Sequence, residues 1–129
     1  MVGIVIVSHS AKIAEGIKDL AQQMAQDYTG LECAGGMEDS SIGTDPLRIL
    51  EAIKRADHGD GVVVFGDLGS GIMSAEMAID MLEGEAINAK IVDAPIVEGT
   101  IVAAVEASIG SPMERVIEEA VKTRDFHKV

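Results

Sequence analysis

The chain has 129 residues, enough for one compact domain, and ten Lys and Arg stand against twenty-two Asp and Glu for a formal charge of -12. That charge repels nucleic acid and anionic lipid, and an aromatic content of 2% leaves no platform for base stacking. One cysteine, Cys33, permits no internal disulfide, no apolar run approaches the roughly 20 residues of a membrane span, and no basic, apolar leader opens the chain, so the expectation is a cytoplasmic protein without membrane insertion.

Val2, Ile4, Val5, Ile6 and Val7 form a nearly unbroken β-branched run, the pattern of a strand buried on both faces, and it stops at Ser8, His9 and Ser10. Ala11, Ile13, Ala14, Ile17, Leu20, Ala21 and Met24 then recur at helical spacing, which with Ser10 as N-cap predicts a helix from Ala11 to about Gln26. A turn at Tyr28 to Gly30 leads into a short strand over Leu31 to Ala34, closed by Gly35 and Gly36. Met37 to Thr44 is polar and aperiodic, a loop at the same end of the sheet as His9. Asp45 and Pro46 pair as N-cap and first-turn residue of a helix to about Ala56, and Asp57 to Asp60 is a turn.

Gly61 to Phe65 make the second strong run, which ends in the corner Gly66 to Gly71. In the helix that follows, Ile72, Ala75, Ile79 and Leu82 share one face and Met73, Met77 and Met81 a neighbouring one. Two apolar faces fit either contact with a second subunit or methionines that simply fill the core. Ala89 to Val92 predict a fourth strand, and a helix from Ile96 or Val97 to Ile109 ends at Gly110. Ser111 to Glu114 read as a capping box opening a last helix to about Thr123, and Arg124 to Val129 as a loose tail. Strands alternating with helices imply an α/β fold: an open, mainly parallel sheet of four or five strands with helices on both faces, joined by right-handed crossovers.

Of the three histidines, His58 falls in a Gly and Asp turn and His127 in the tail, where solvated side chains are the expectation. His9 sits between the carboxyl end of a strand and a helix N-terminus, which is where open α/β sheets bind ligands and where a helix dipole attracts an anion. Taken alone, it is either a phosphate-handling group or a structural imidazole satisfied by backbone. Asp67 occupies the matching position after the second run. If the strand order reverses between those two strands, Asp67 can bond one ring nitrogen of His9, fix the tautomer and leave the other nitrogen nucleophilic; otherwise it caps the next helix. Gly69, Ser70 and Gly71 read as a flexible turn whose amides could approach phosphoryl oxygens. The chain has no G-x-x-x-x-G-K-[ST], no G-x-G-x-x-G after its first strand and no G-x-S-x-G, so binding of a nucleoside triphosphate or dinucleotide and serine hydrolysis are unsupported. One Cys and three scattered His make no metal site, and neither a metal nor a cofactor is expected.

Four segments, V-G-I-V-I-V-S-H-S at Val2 to Ser10, S-I-G-T-D at Ser41 to Asp45, G-D-L-G-S-G at Gly66 to Gly71 and A-P-I-V-E-G at Ala94 to Gly99, together resemble the phosphotransferase subunits of phosphoenolpyruvate-dependent dihydroxyacetone kinases. Those subunits have the mannose-type EIIA fold, and the resemblance, which covers nearly the whole chain, implies one such domain over residues 1–129. It implies that His9 accepts a phosphoryl group from the phosphocarrier HPr, that Asp67 orients the ring, and that Gly43 and Thr44 lie on a loop beside it. Ser10, Gly69, Ser70 and Gly71 are expected around the phosphoryl group or the docking partner. The implied acceptor is ADP held on the nucleotide-binding kinase subunit, so that the chain relays phosphate and is not the kinase proper. Larger members fuse HPr-like and enzyme I-like domains to this one, and a chain ending at Val129 is expected to draw on separate carriers and to form a homodimer. Two alternatives stay open. One is a mannose-type EIIA component of sugar transport that passes phosphate to an EIIB protein, against which A-P-I-V-E-G weighs most. The other is a non-catalytic ligand-binding or regulatory domain in which His9 and Asp67 only hydrogen-bond two strand ends.

Overall fold

The computed structural model describes every residue from Met1 to Val129. Its four strands, β1 (Gly3–Ser8), β2 (Leu31–Gly35), β3 (Val62–Gly66) and β4 (Ala89–Ile91), form one parallel sheet in the order β2-β1-β3-β4. The two β-branched runs are therefore neighbours at its centre, with Ile4 opposite both Leu31 and Val63. They lack polar alternation because both faces are covered. Ile4, Ile6, Val63 and Phe65 pack against α1 (Ala11–Met24), α4 (Ile96–Ser108) and α5 (Met113–Val121), and Val5, Val7, Val62 and Val64 against α2 (Pro46–Ala56) and α3 (Gly69–Asp80). All eight are fully buried, each contributing about 1.5–3 kcal/mol. Gly3 opens β1 because the end of α2 lies directly on it: a Cβ there would stand 2.0 Å from the Ala56 carbonyl oxygen.

The expected α/β architecture with helices on both faces is thus observed, with four strands and no fifth. From β1 the chain steps to β2 on one side and returns past β1 to β3 on the other. The carboxyl ends of β1 and β3 consequently flank a topological switch point.

Several local expectations are corrected. Helix α1 ends at Met24, two residues short of Gln26, with the Ala25 N–H closing the last helical bond, to Ala21 O. Helix α3 begins at Gly69, so Gly69 to Gly71 are its first turn and no flexible corner. Ser111 builds no capping box: Pro112 holds the cap position of α5 without a side-chain bond, and the Ser111 hydroxyl donates to Glu106 Oε2 at 2.7 Å. The tail is tied down, with Lys122–Asp125 in a 3-10 turn, Thr123 buried, Arg124 paired with Asp93 at 3.2 Å and Lys128 with Glu98 at 2.7 Å. Met73, Met77 and Met81 are 67%, 57% and 40% exposed, so they do not fill the core.

Candidate functional site

Ser8 ends β1 fully buried, and its carbonyl accepts from the Gly36 N–H at 3.0 Å. Its hydroxyl donates to Asp67 Oδ2 at 2.9 Å and accepts from the Ser10 N–H at 3.1 Å, which turns the chain sharply at His9. The Ser10 hydroxyl caps α1 by accepting from the Ile13 N–H at 3.3 Å. His9 is thereby held between the end of a central strand and the start of a helix, with its side chain 21% exposed.

Asp67 stands just past β3, across the switch point, and its side chain is 14% exposed. Oδ2 accepts from the Ser8 hydroxyl and the His9 backbone N–H, both at 2.9 Å. Oδ1 lies 2.9 Å from His9 Nδ1 and accepts from the Leu68 N–H at 2.7 Å. Helix α3 is capped at Leu68 without a side-chain bond, so Asp67 clasps two strand ends and does not act as the helix cap. Burial works to raise its pKa. The bonds from the His9 backbone and ring, Ser8 and Leu68 outweigh that and hold the carboxyl below the usual carboxylate range.

An ionised carboxylate can only accept, so Nδ1 of a neutral His9 carries the ring proton and Nε2 keeps its lone pair. Nε2 lies 2.6 Å from Ser70 Oγ, whose hydroxyl then donates to it. Ser70 is exposed in the first turn of α3, where the first helical bond runs from the Ile72 N–H to Leu68 O. The preceding amides have no partner within the helix and give this end its partial positive charge. Gly71 lets the turn lie flat on the pair: a Cβ there would be 2.9 Å from Asp67 Oδ1 and 3.5 Å from His9 Cε1.

The structure brings together His9, Asp67, Ser70 and Gly71. Gly43, at φ 145°, bonds the His9 carbonyl through its N–H at 2.9 Å, while the Thr44 hydroxyl lies 2.7 Å from that of Ser74 in α3. These two residues tie the Met37 to Thr44 loop to β1 and α3 and make no bond to the ring. Ser10 is engaged by α1, and the space beside Gly69 is open. Sequence reasoning missed the part played by Ser8, whose hydroxyl closing an apolar run was the available clue. It also missed Arg48, which nothing in the helical pattern set apart. As a whole, the site presents a tautomer-fixed imidazole nitrogen at the rim of a sheet, beside a helix N-terminus. That arrangement suits a nucleophile for an anionic group delivered by another molecule.

The family model of the mannose-type EIIA domain, described as PTS system fructose IIA component, matches residues 3–117. The "PEP-dependent dihydroxyacetone kinase, phosphoryl donor subunit DhaM" of Klebsiella michiganensis is 44% identical over 134 residues, covering 100% of this chain and 28% of that protein. The chain thus spans only about a quarter of the longer relatives it matches. A shorter relative, the "PEP-dependent dihydroxyacetone kinase 2, phosphoryl donor subunit DhaM" of Listeria innocua, is 37% identical over 92% of this chain and 96% of its own. Among solved structures, the protein of unknown function EF1359 superposes with a TM-score of 0.82 at 36% identity, covering 94% of this chain and 93% of that one. With a family match over nearly its full length and a relative that it covers almost end to end, the chain belongs to the mannose-type EIIA family.

Proposed function

We propose that the protein is the phosphoryl-relay subunit of a phosphoenolpyruvate-dependent dihydroxyacetone kinase, loaded on His9 by HPr and discharged to ADP on the nucleotide-binding kinase subunit. One observation carries it: Asp67 lies 2.9 Å from Nδ1, while Nε2 is turned to the exposed Ser70. The names of the relatives support the choice of kinase.

The Nε2 lone pair attacks the phosphorus of the donor phosphohistidine as the donor's P–N bond breaks in line, and that electron pair returns to the donor ring. Nδ1 keeps its proton, so the positive charge reaching the His9 ring is met by the Asp67 carboxylate. Discharge reverses the geometry: a terminal oxygen of ADP takes the phosphoryl group and His9 recovers a neutral ring. Ser70 Oγ, now 2.6 Å from Nε2, rotates out of the line of attack and donates to a phosphoryl oxygen. Such a transfer requires positioning and charge neutralisation above all. The protein is a transferase component that turns over as a carrier. HPr and the ADP-loaded subunit assign it to the cytoplasm, and no helix is long and apolar enough to cross a membrane.

Incubation with phosphoenolpyruvate, enzyme I and HPr is expected to place one acid-labile phosphoryl group on each chain, and ADP-loaded kinase subunit to remove it. Discharge to an EIIB protein with none to kinase-bound ADP reassigns the acceptor to sugar transport, and no uptake at all ends the relay.

The same reading includes a homodimer through the outer face of α3. Met73 and Met77, one turn apart and more than half exposed, support it, as does the open edge of β4 that packs beside that helix. Sedimentation is expected to give a dimer for the wild type and a monomer for Met73→Glu combined with Met77→Glu. A monomeric wild type removes the dimer and leaves the relay untouched.

A further inference from the structure

We infer that Arg48 is the resident cation of the phosphoryl site and binds the group that His9 carries, an assignment that rests on the relay reading above. In a chain of net charge -12, Lys54, Arg55, Arg115, Lys122, Arg124 and Lys128 all have carboxylate partners within 4 Å, including both of the other cations of α2. Arg48 has none. Its Nε is buried without a hydrogen-bond partner, and its Nη2 makes only one long bond, 3.4 Å to Gly35 O. A desolvated guanidinium donor without a partner is costly, and Arg48 is also the third residue of α2, where the helix dipole opposes positive charge. The one structural return is that long bond from α2 to the end of β2: the α2 cap is made by Asp45 accepting from the Leu47 N–H, and Arg48 takes no part in it.

Its position explains the cost. Gly35 lies opposite Ser8 in the β1–β2 register, and adjacent strands are about 4.8 Å apart. The guanidinium therefore stands over the end of β2, one strand away from the end of β1 where His9 turns outward. Gly43, bonded to the His9 carbonyl, and Thr44, beside Ser74, lead directly into the turn of α2 that carries it. Release of the long bond to Gly35 frees a planar fork of donors to take two phosphoryl oxygens. The helix N-terminus of α3 and the Ser70 hydroxyl supply only partial charge; Arg48 supplies the full one.

The test uses the full chain with HPr and enzyme I, observing the Arg48 Nε–H resonance by NMR before and after phosphorylation. The expected result is a shift of that resonance and slowed exchange with solvent in the phosphorylated wild type, with no change in His9→Gln carried through the same mixture. Arg48→Met is expected to load on His9 yet to hold about tenfold less phosphoryl group at equilibrium with HPr, and Arg48→Lys to recover part of the loss. A wild type loaded on His9 with an unmoved Arg48 resonance overturns the assignment, as does an Arg48→Met equilibrium equal to that of the wild type. A wild type that never loads overturns the relay itself, a separate outcome, and because the resonance is read on unaltered protein a variant that misfolds leaves the test standing.

Discussion

His9→Gln is expected to reduce phosphoryl uptake to background while leaving the fold intact. Labelling with radioactive phosphoenolpyruvate, enzyme I and HPr reads the first part, and circular dichroism through a thermal melt the second. The loss is complete because no other histidine is built for the task. His58 and His127 are exposed, and neither ring makes a hydrogen bond to a carboxylate that would fix its tautomer. Glutamine retains the backbone N–H that bonds Asp67 Oδ2, and Oδ1 keeps the Leu68 N–H, so the clasp between the strand ends survives without the ring. The cost in stability is therefore chiefly the ring's bond to the ionised Asp67, about 1.5–3 kcal/mol, since the exposed Ser70 hydroxyl turns to water instead. Retained label on His58 or His127 overturns the assignment of the nucleophile.

The His9 and Asp67 pairing was legible because two β-branched runs can be buried on both faces only at the centre of a sheet, and each run ends in a polar residue of the right chemistry. Spacing alone left open whether the two ends meet, since that depends on the reversal of strand order between β1 and β3. The first turn of α3 was illegible for a different reason. Glycines at positions 69 and 71 lower helix propensity and read as a loop, yet Gly71 is there because the helix must touch the His9 and Asp67 side chains with no Cβ between them. Ser70 thus came to Nε2 by way of a helix, not a flexible turn. Arg48 escaped notice because a charged residue in an amphipathic helix ordinarily faces water, and only the three-dimensional surroundings reveal that its Nε is buried and unpartnered. The tail misled because a polar, aperiodic end carries no hint of ion pairs to Asp93 and Glu98, distant in sequence.

Asp67→Asn is expected to slow phosphoryl uptake by about 10²–10⁴-fold, a larger loss than its near-identical shape suggests. The asparagine amide can sit in two ways. With its NH2 toward Nδ1 it imposes the tautomer that protonates Nε2 and removes the nucleophile. With its oxygen toward Nδ1 it keeps the tautomer, but its NH2 then faces the His9 backbone N–H, a donor set against a donor. In both cases the negative charge that meets the phosphorylated ring is gone, so the loss is in rate and in the amount of phosphohistidine at equilibrium. The same substitution alters stability against acid. Because hydrogen bonding depresses the folded pKa of Asp67, its contribution is fully present above the unfolded carboxylate value of about 4 and is lost as pH falls through the lower folded value. The wild type should therefore lose stability over that acid window, and Asp67→Asn, already lacking the contribution, should show a flatter limb in denaturant melts below about pH 4. An uptake rate equal to the wild type removes Asp67 from the transfer. An unchanged acid limb shows instead that the clasp between β1 and β3 does not depend on its charge.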